Sequence, residues 1–179
     1  MTTLAPLVFI TGASSGIGQA LARHYHQAGW RLALAARRPD AIKSWASACG
    51  ISADRYEIYS ADVADIDSIV DAGLACMACQ GLPAVVIANA GISLGVDTAE
   101  RADLDVMARV MASNLLGLAA TFQPFVSAMA ERGSGTLVGI GSVAGIRGLP
   151  GHGAYCASKA VVISYCESLR GELRAACAW

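Results

Sequence analysis

Apolar positions along this chain fall into two kinds of run. Short blocks that are apolar almost without interruption lie at Leu7–Thr11, Arg31–Ala36, Tyr56–Ala61, Ala84–Asn89 and Thr136–Gly141. Runs this short that do not alternate with polar residues predict strands covered on both faces of a sheet. Between them lie longer segments with helical periodicity, at Ser15–Ala28, Asp40–Cys49, Ile66–Gln80 and Asp103–Arg132, with Tyr155–Cys177 last. Gly29 and Gly133 suit the left-handed position that often ends a helix. Pro124 falls inside the long fourth helix and is expected to kink or divide it, because its ring meets the carbonyl four residues back. Regular strand–helix alternation predicts an α/β fold, a doubly wound parallel sheet with right-handed crossovers and helices on both faces.

Composition narrows this picture. With 179 residues, 55% apolar and 15% charged, the chain can bury a core and reads as one domain over 1–179. Its net charge is −1, with no basic or acidic block, so nucleic-acid and membrane-surface binding have no electrostatic support. No segment approaches the roughly 20 apolar residues of a membrane span. The N-terminus lacks a basic leader region, and the protein is expected to be soluble and cytoplasmic. Cys76 and Cys79 have the spacing of a zinc or redox pair, but no second pair follows. The six cysteines are read as small buried thiols in a reducing compartment, and no metal site is expected.

Four segments at predicted strand ends carry chemistry. The first strand runs into Thr11-Gly12-Ala13-Ser14-Ser15-Gly16-Ile17-Gly18, which opens the first helix. Glycines at 12, 16 and 18 allow a tight turn and close approach of a diphosphate to free N–H groups at the helix start. The second strand ends in Ala36-Arg37-Arg38, where a free ribose 2′-hydroxyl would usually meet an acid. A guanidinium here suits a 2′-phosphate, so NADP is expected over NAD, with Arg37 first and Arg38 beside it. Two solvated arginines before a turn are the plainer alternative. After the third strand, Asp62-Val63 could meet the adenine, or Asp62 could cap the next helix. Asn89-Ala90-Gly91 closes the fourth strand with small residues where backbone passes close to a cofactor.

Tyr155 and Lys159 stand four residues apart on a predicted helix, and so share one face about a turn apart. An ammonium close to a phenol favours the phenolate, which would make a general acid/base of a group otherwise slow to exchange its proton near neutrality. Ser142 precedes them at the end of the fifth strand. His152 lies in the glycine-rich stretch just before Tyr155 and reads as a solvated rim residue rather than a base. His24 and His26 look like ordinary helix-surface positions.

Thr11–Gly18, Asn89–Gly91, Asn114, Ser142, Tyr155 and Lys159, in this order and spacing, resemble the short-chain dehydrogenase/reductase family, in its common single-domain branch. The resemblance implies a Rossmann-like fold and an NADP-dependent oxidoreductase that moves a hydride between the cofactor and a carbonyl or secondary alcohol. It implies that Tyr155 exchanges the proton on the substrate oxygen and that Ser142 polarises that oxygen. Lys159 would bind the nicotinamide ribose, and Asn114 would hold a water linking Lys159 to solvent. A small-molecule partner and a homodimer through the fourth and last helices are implied too. Ala88 and Gly141 stand where the family often has Asn and Ser. Family members continue past the last helix with further strands. The sheet is therefore expected in the order 3-2-1-4-5 with the fifth strand as an open edge. The ending Ala175–Trp179 leads us to expect a truncated or frameshifted gene product. The rival reading is a fragment or pseudoenzyme that binds the dinucleotide without turnover.

Overall fold

The structure, a computed structural model, describes residues 4–176. The expected end of the last helix at Cys177 and the closing residues to Trp179 lie outside the described residues. Five parallel strands form one sheet in the order β3-β2-β1-β4-β5. They are β1 (Leu7–Thr11), β2 (Arg31–Ala36), β3 (Tyr56–Ser60), β4 (Val85–Ala88) and β5 (Thr136–Gly139). The helices are α1 (Gly16–Gln27), α2 (Pro39–Ala48), α3 (Ile66–Gln80), α4 (Asp103–Met111), α5 (Gly117–Arg132) and α6 (Gly153–Ala176). Among the described residues, no helix is long and apolar enough to cross a membrane.

Strand periodicity explains the two apolar layers. In β1, Leu7 and Phe9 face one side and Val8 and Ile10 the other, and all four are buried. Phe9 packs with Ile69 of α3, Phe122 and Phe125 of α5, and Val162 of α6. Its ring lies 5.2 Å from that of Phe125, within the range of favourable aromatic pairs. Val8 and Ile10 join Ala22 of α1 and Ile42 and Trp45 of α2 on the opposite side. The central strands therefore have no wet face, and their apolar runs are continuous. The strands at the two ends of the sheet, β3 and β5, contain no fully buried residue.

Several expected boundaries are corrected. Ala61, Asn89 and Ile140 lie just past the ends of their strands. There Asn89 N turns away from the ladder toward Thr11 Oγ1, at 3.1 Å. The last helix begins at Gly153, earlier than Tyr155. Pro124 does not divide α5, which is helical from Gly117 to Arg132. Its ring is accommodated against Gly73 of α3, where an added Cβ would sit 2.8 Å from Pro124 Cγ. The long helix is broken earlier, by a π-helical turn at Ala112–Leu116. That turn places Gly117 hard against the loop after β3, since a Cβ there would meet Val63 O at 2.5 Å. Widened turns of this kind recur at functional sites, and this one carries Asn114.

The thiols also differ from expectation. Cys76 and Cys156 are buried, but Cys49 and Cys79 are exposed and Cys166 is half-buried.

Candidate active site

Four of the strand ends converge on one cleft of about 610 Å³. Its floor begins at the glycine turn. Gly12 has φ +69° and Gly16 φ +57°, backbone that side chains other than glycine's rarely adopt. Gly18 is needed for space: a Cβ there would overlap Gly12 O and lie 2.6 Å from Asn89 Nδ2. Ser15 precedes α1 without capping it, so the first helical N–H groups keep no side-chain partner. A turn shaped this way fits a diphosphate.

Asn89 has a role that its small-residue context did not reveal. Its Nδ2 donates to Thr11 O at 2.9 Å, while Thr11 Oγ1 accepts from Asn89 N and Ala90 N, both at 3.1 Å. These bonds tie the end of β4 to the glycine turn, so Asn89 braces the turn while lining the cleft with Ala90 and Gly91.

Arg37 and Arg38 line the far end of the cleft with Asp62 and Val63. Arg37 Nη1 lies 3.8 Å from Asp62 Oδ2, with side chains 69% and 41% exposed. A loose pair in water is weak and leaves the guanidinium available to an anion. Asp62 does not cap the following helix. Its Oδ1 accepts from Ala64 N at 3.0 Å, and the cap is Asp65, which accepts from Ser68 N at 3.2 Å.

At Gly91 the cleft comes close to Asn114 and Lys159. A Cβ on Gly91 would lie 3.0 Å from Asn114 Oδ1 and 3.8 Å from Lys159 Nζ. Lys159 is buried, donates to Ile140 O at 2.7 Å, and has its Nζ 5.8 Å from the centre of the Tyr155 ring. Burial holds its ammonium below the usual lysine range. Ser142 starts a short turn at Val143–Gly145, where its Oγ accepts from Ala144 N at 3.1 Å. Its hydroxyl proton is left free to donate. The turn sits on α6 because Gly145 has no side chain; a Cβ there would lie 2.7 Å from Lys159 C and O.

Asn114 is 2% exposed and fully occupied as a donor. Its Nδ2 donates to Ile92 O and Ser158 Oγ, both at 2.9 Å, and its Oδ1 accepts from Ile92 N at 2.8 Å. Ser158 Oγ donates onward to Tyr155 O at 2.8 Å. A water on this side chain is left one lone pair of Oδ1.

The structure thus brings Gly12, Ser14, Ser15, Ile17, Arg37, Arg38, Asp62, Val63, Asn89, Ala90 and Gly91 around one cleft, with Asn114 and Lys159 touching its inner end. Gly16 and Gly18 do not line it and act by shaping the turn. His152 is exposed on the rim. Arg109 and Ser113 also line the cleft and were missed. Their spacing of one helical turn, next to Asn114, was the available signal. Ser158 was missed as well. Among the described residues, no group of three potential metal ligands comes together.

The sequence and the fold both have known relatives. The family model described as short chain dehydrogenase matches residues 6–176. The chain is 39% identical over 168 residues to an uncharacterized oxidoreductase of Myxococcus xanthus, covering 92% of this chain and 65% of that one. A crystal structure of a short-chain dehydrogenase from Streptomyces avermitilis superposes with a TM-score of 0.89 at 31% identity, covering 98% of this chain and 63% of that one. The closed form of a serine dehydrogenase complexed with NADP+ gives 0.85 at 27% identity, covering 93% and 66%. The chain spans about half to two thirds of the length of the curated relatives it matches.

Proposed function

The chain belongs to the short-chain dehydrogenase/reductase family, and on that premise we propose that it is an NADP-dependent oxidoreductase acting on a carbonyl or the matching secondary alcohol. The observation that carries this reading is the position of Lys159. It is buried at the inner end of a dinucleotide-sized cleft, with its Nζ 5.8 Å from the Tyr155 ring centre.

The residues present fit a dinucleotide. The glycine turn leaves no Cβ in the path of a diphosphate, and Arg37 and Arg38 stand where a ribose 2′-phosphate would need a counter-charge. The nicotinamide, when bound, supplies or accepts the hydride. The side chains handle the proton and the charge on oxygen. Ser142 donates its free hydroxyl proton to the substrate oxygen, stabilising the negative charge that builds there. Tyr155 gives that oxygen its proton in reduction and takes it back in oxidation. Lys159, pinned by Ile140 O, sets a positive charge beside the Tyr155 ring and would meet the ribose of a bound dinucleotide. Asn114 and Ser158 hold the β4 loop and the start of α6 in register around this group.

Replacing Tyr155 with Phe tests the reading. Turnover of NADPH on a carbonyl panel is expected to vanish while NADPH binding, followed by fluorescence, stays within about twofold. Turnover equal to wild type would refute the mechanism. NADPH binding without turnover in the unaltered chain would favour the binding-only alternative instead.

Self-association through α4, α5 and α6 belongs to the same proposal. Leu104, Met107 and Leu116 lie exposed along α4 and the π turn, which supports a contact there. Sedimentation velocity is expected to show a dimer that Leu116→Glu dissociates. A monomer in the unaltered protein would remove this part.

A further inference from the structure

Arg109 lines the cleft, yet neither the phosphate contacts nor the proton transfer described above uses it. It stands on α4 four residues before Ser113, which stands four before Gly117, so the three share one helical face. Gly117 packs against Val63 O after β3, Ser113 is buried, and Arg109 is exposed. This face therefore climbs from the loop after β3 toward the mouth of the cleft. The helix continues into α5, which covers one face of the sheet, whereas α2, starting just after Arg37 and Arg38, covers the other. Arg109 and the two arginines of β2 thus reach the cleft from opposite faces of the sheet.

Nothing in the fold occupies the Arg109 guanidinium. Asp105, one turn earlier, pairs with Arg101 at 4.0 Å, and no carboxylate among the described residues forms an ion pair with Arg109. The walls around it are built from small side chains, Ala36, Ala61, Ala64 and Ala112, with Val63, and no aromatic residue lines the cleft. A base lying there would have contact at its edges and no flat cover. We propose that the Arg109 guanidinium closes over the adenine of the bound dinucleotide and stacks on the base from the α4 side. The inference rests on the dinucleotide reading of the cleft and adds to it the residue that holds the base. A guanidinium suits this place because it is planar, delocalised and weakly hydrated, and stacks on aromatic faces as an ammonium does not. The anionic groups of the ligand have other partners, the free N–H groups of the glycine turn for the diphosphate and Arg37 and Arg38 for a 2′-phosphate.

Calorimetric titration of the full chain with NADPH, NADH and adenosine 2′-monophosphate tests the proposal. Arg109→Ala alters one exposed side chain, and far-UV circular dichroism checks that the fold is kept. It is expected to weaken all three ligands by the same factor, about three- to tenfold. Arg109→Lys keeps the charge and loses the plane, and is expected to stay within about twofold of the alanine variant. Unweakened NADH would assign Arg109 to the 2′-phosphate, and unweakened adenosine 2′-monophosphate would assign it to the diphosphate; either overturns the proposal. So does full recovery by lysine, or an alanine variant that binds all three ligands like the unaltered chain. These outcomes leave the dinucleotide reading standing, because the unaltered chain still binds NADPH. An unaltered chain that binds neither NADPH nor NADH sinks both.

Discussion

Replacing Asn114 with Ala removes a buried side chain that hydrogen-bonds the loop after β4 to the helix carrying Tyr155 and Lys159. Three hydrogen bonds disappear together: Ile92 N to Oδ1 at 2.8 Å, and Nδ2 to Ile92 O and to Ser158 Oγ, both at 2.9 Å. At 2% exposure the site is out of reach of bulk water, so the abandoned groups are not simply re-solvated. With a net value of about 1 kcal/mol per bond, the loss comes to about 3 kcal/mol, and a water entering the vacated space would lower it to about 2 kcal/mol. For a chain of this size that corresponds to a fall in Tm of roughly 4–12 °C. Urea unfolding followed by circular dichroism measures it. Ser158→Ala removes the acceptor for Nδ2 and the donor to Tyr155 O, and is expected to cost about 1–2 kcal/mol alone. Because the two side chains share one bond, the double variant should cost less than the sum, by about 1 kcal/mol. A single-variant loss below about 1 kcal/mol, or additive losses, would show that the chain Ile92–Asn114–Ser158–Tyr155 is not the connection argued here.

Two further outcomes follow from the charges and thiols. Arg37→Ala is expected to weaken NADPH by about tenfold or more while leaving NADH within about twofold, because only the former presents a 2′-phosphate to the guanidinium; equal weakening of both in a fluorescence titration would remove Arg37 from that role. Burial pushes the Cys76 thiol up to about 12, so above the ordinary thiol value of about 8.5 the unfolded chain ionises first and holds fewer protons than the folded one. Stability must then fall as pH rises from about 9 toward 12, by at most about 1.4 kcal/mol per unit from this group. Urea midpoints of Cys76→Ala between pH 8 and 10 should decline less steeply than those of the unaltered chain, and identical slopes would contradict the assignment.

The sheet was legible because its central strands are buried on both faces, which writes itself as an unbroken apolar run: Leu7–Thr11 and Arg31–Ala36 have the expected bounds. Their neighbours were less sharply bounded, since a strand's last residue is decided by its partners. Asn89 leaves the ladder because Thr11 Oγ1 competes for its N–H, and nothing within the fourth run announces that competition. Pro124 failed as a breaker for a similar reason. The rule is local, whereas the ring is accommodated by Gly73 on another helix. The π turn at Ala112–Leu116 has no residue pattern of its own. Asp65 displaced Asp62 as the cap of α3 because both acids lie near the helix start and only the backbone geometry chooses between them.

The two halves of the site differ in legibility for a physical cause. A diphosphate is held by backbone N–H groups, so its requirements fall on contiguous residues that must be small, and Gly12, Gly16 and Gly18 state them openly. Proton transfer needs separate side chains held at fixed separations, and what fixes them here is written in single polar residues with no spacing rule. Ser158 is the clearest case. Read alone it is a small residue between Tyr155 and Lys159 that any helix would tolerate. In the fold it is fully buried, accepts from Asn114 Nδ2 and donates to Tyr155 O. Threonine keeps that hydroxyl and adds only a methyl, whereas alanine leaves Asn114 with an unspent donor. If Ser158 acts by positioning, Ser158→Thr must therefore recover more of the lost stability than its extra volume removes.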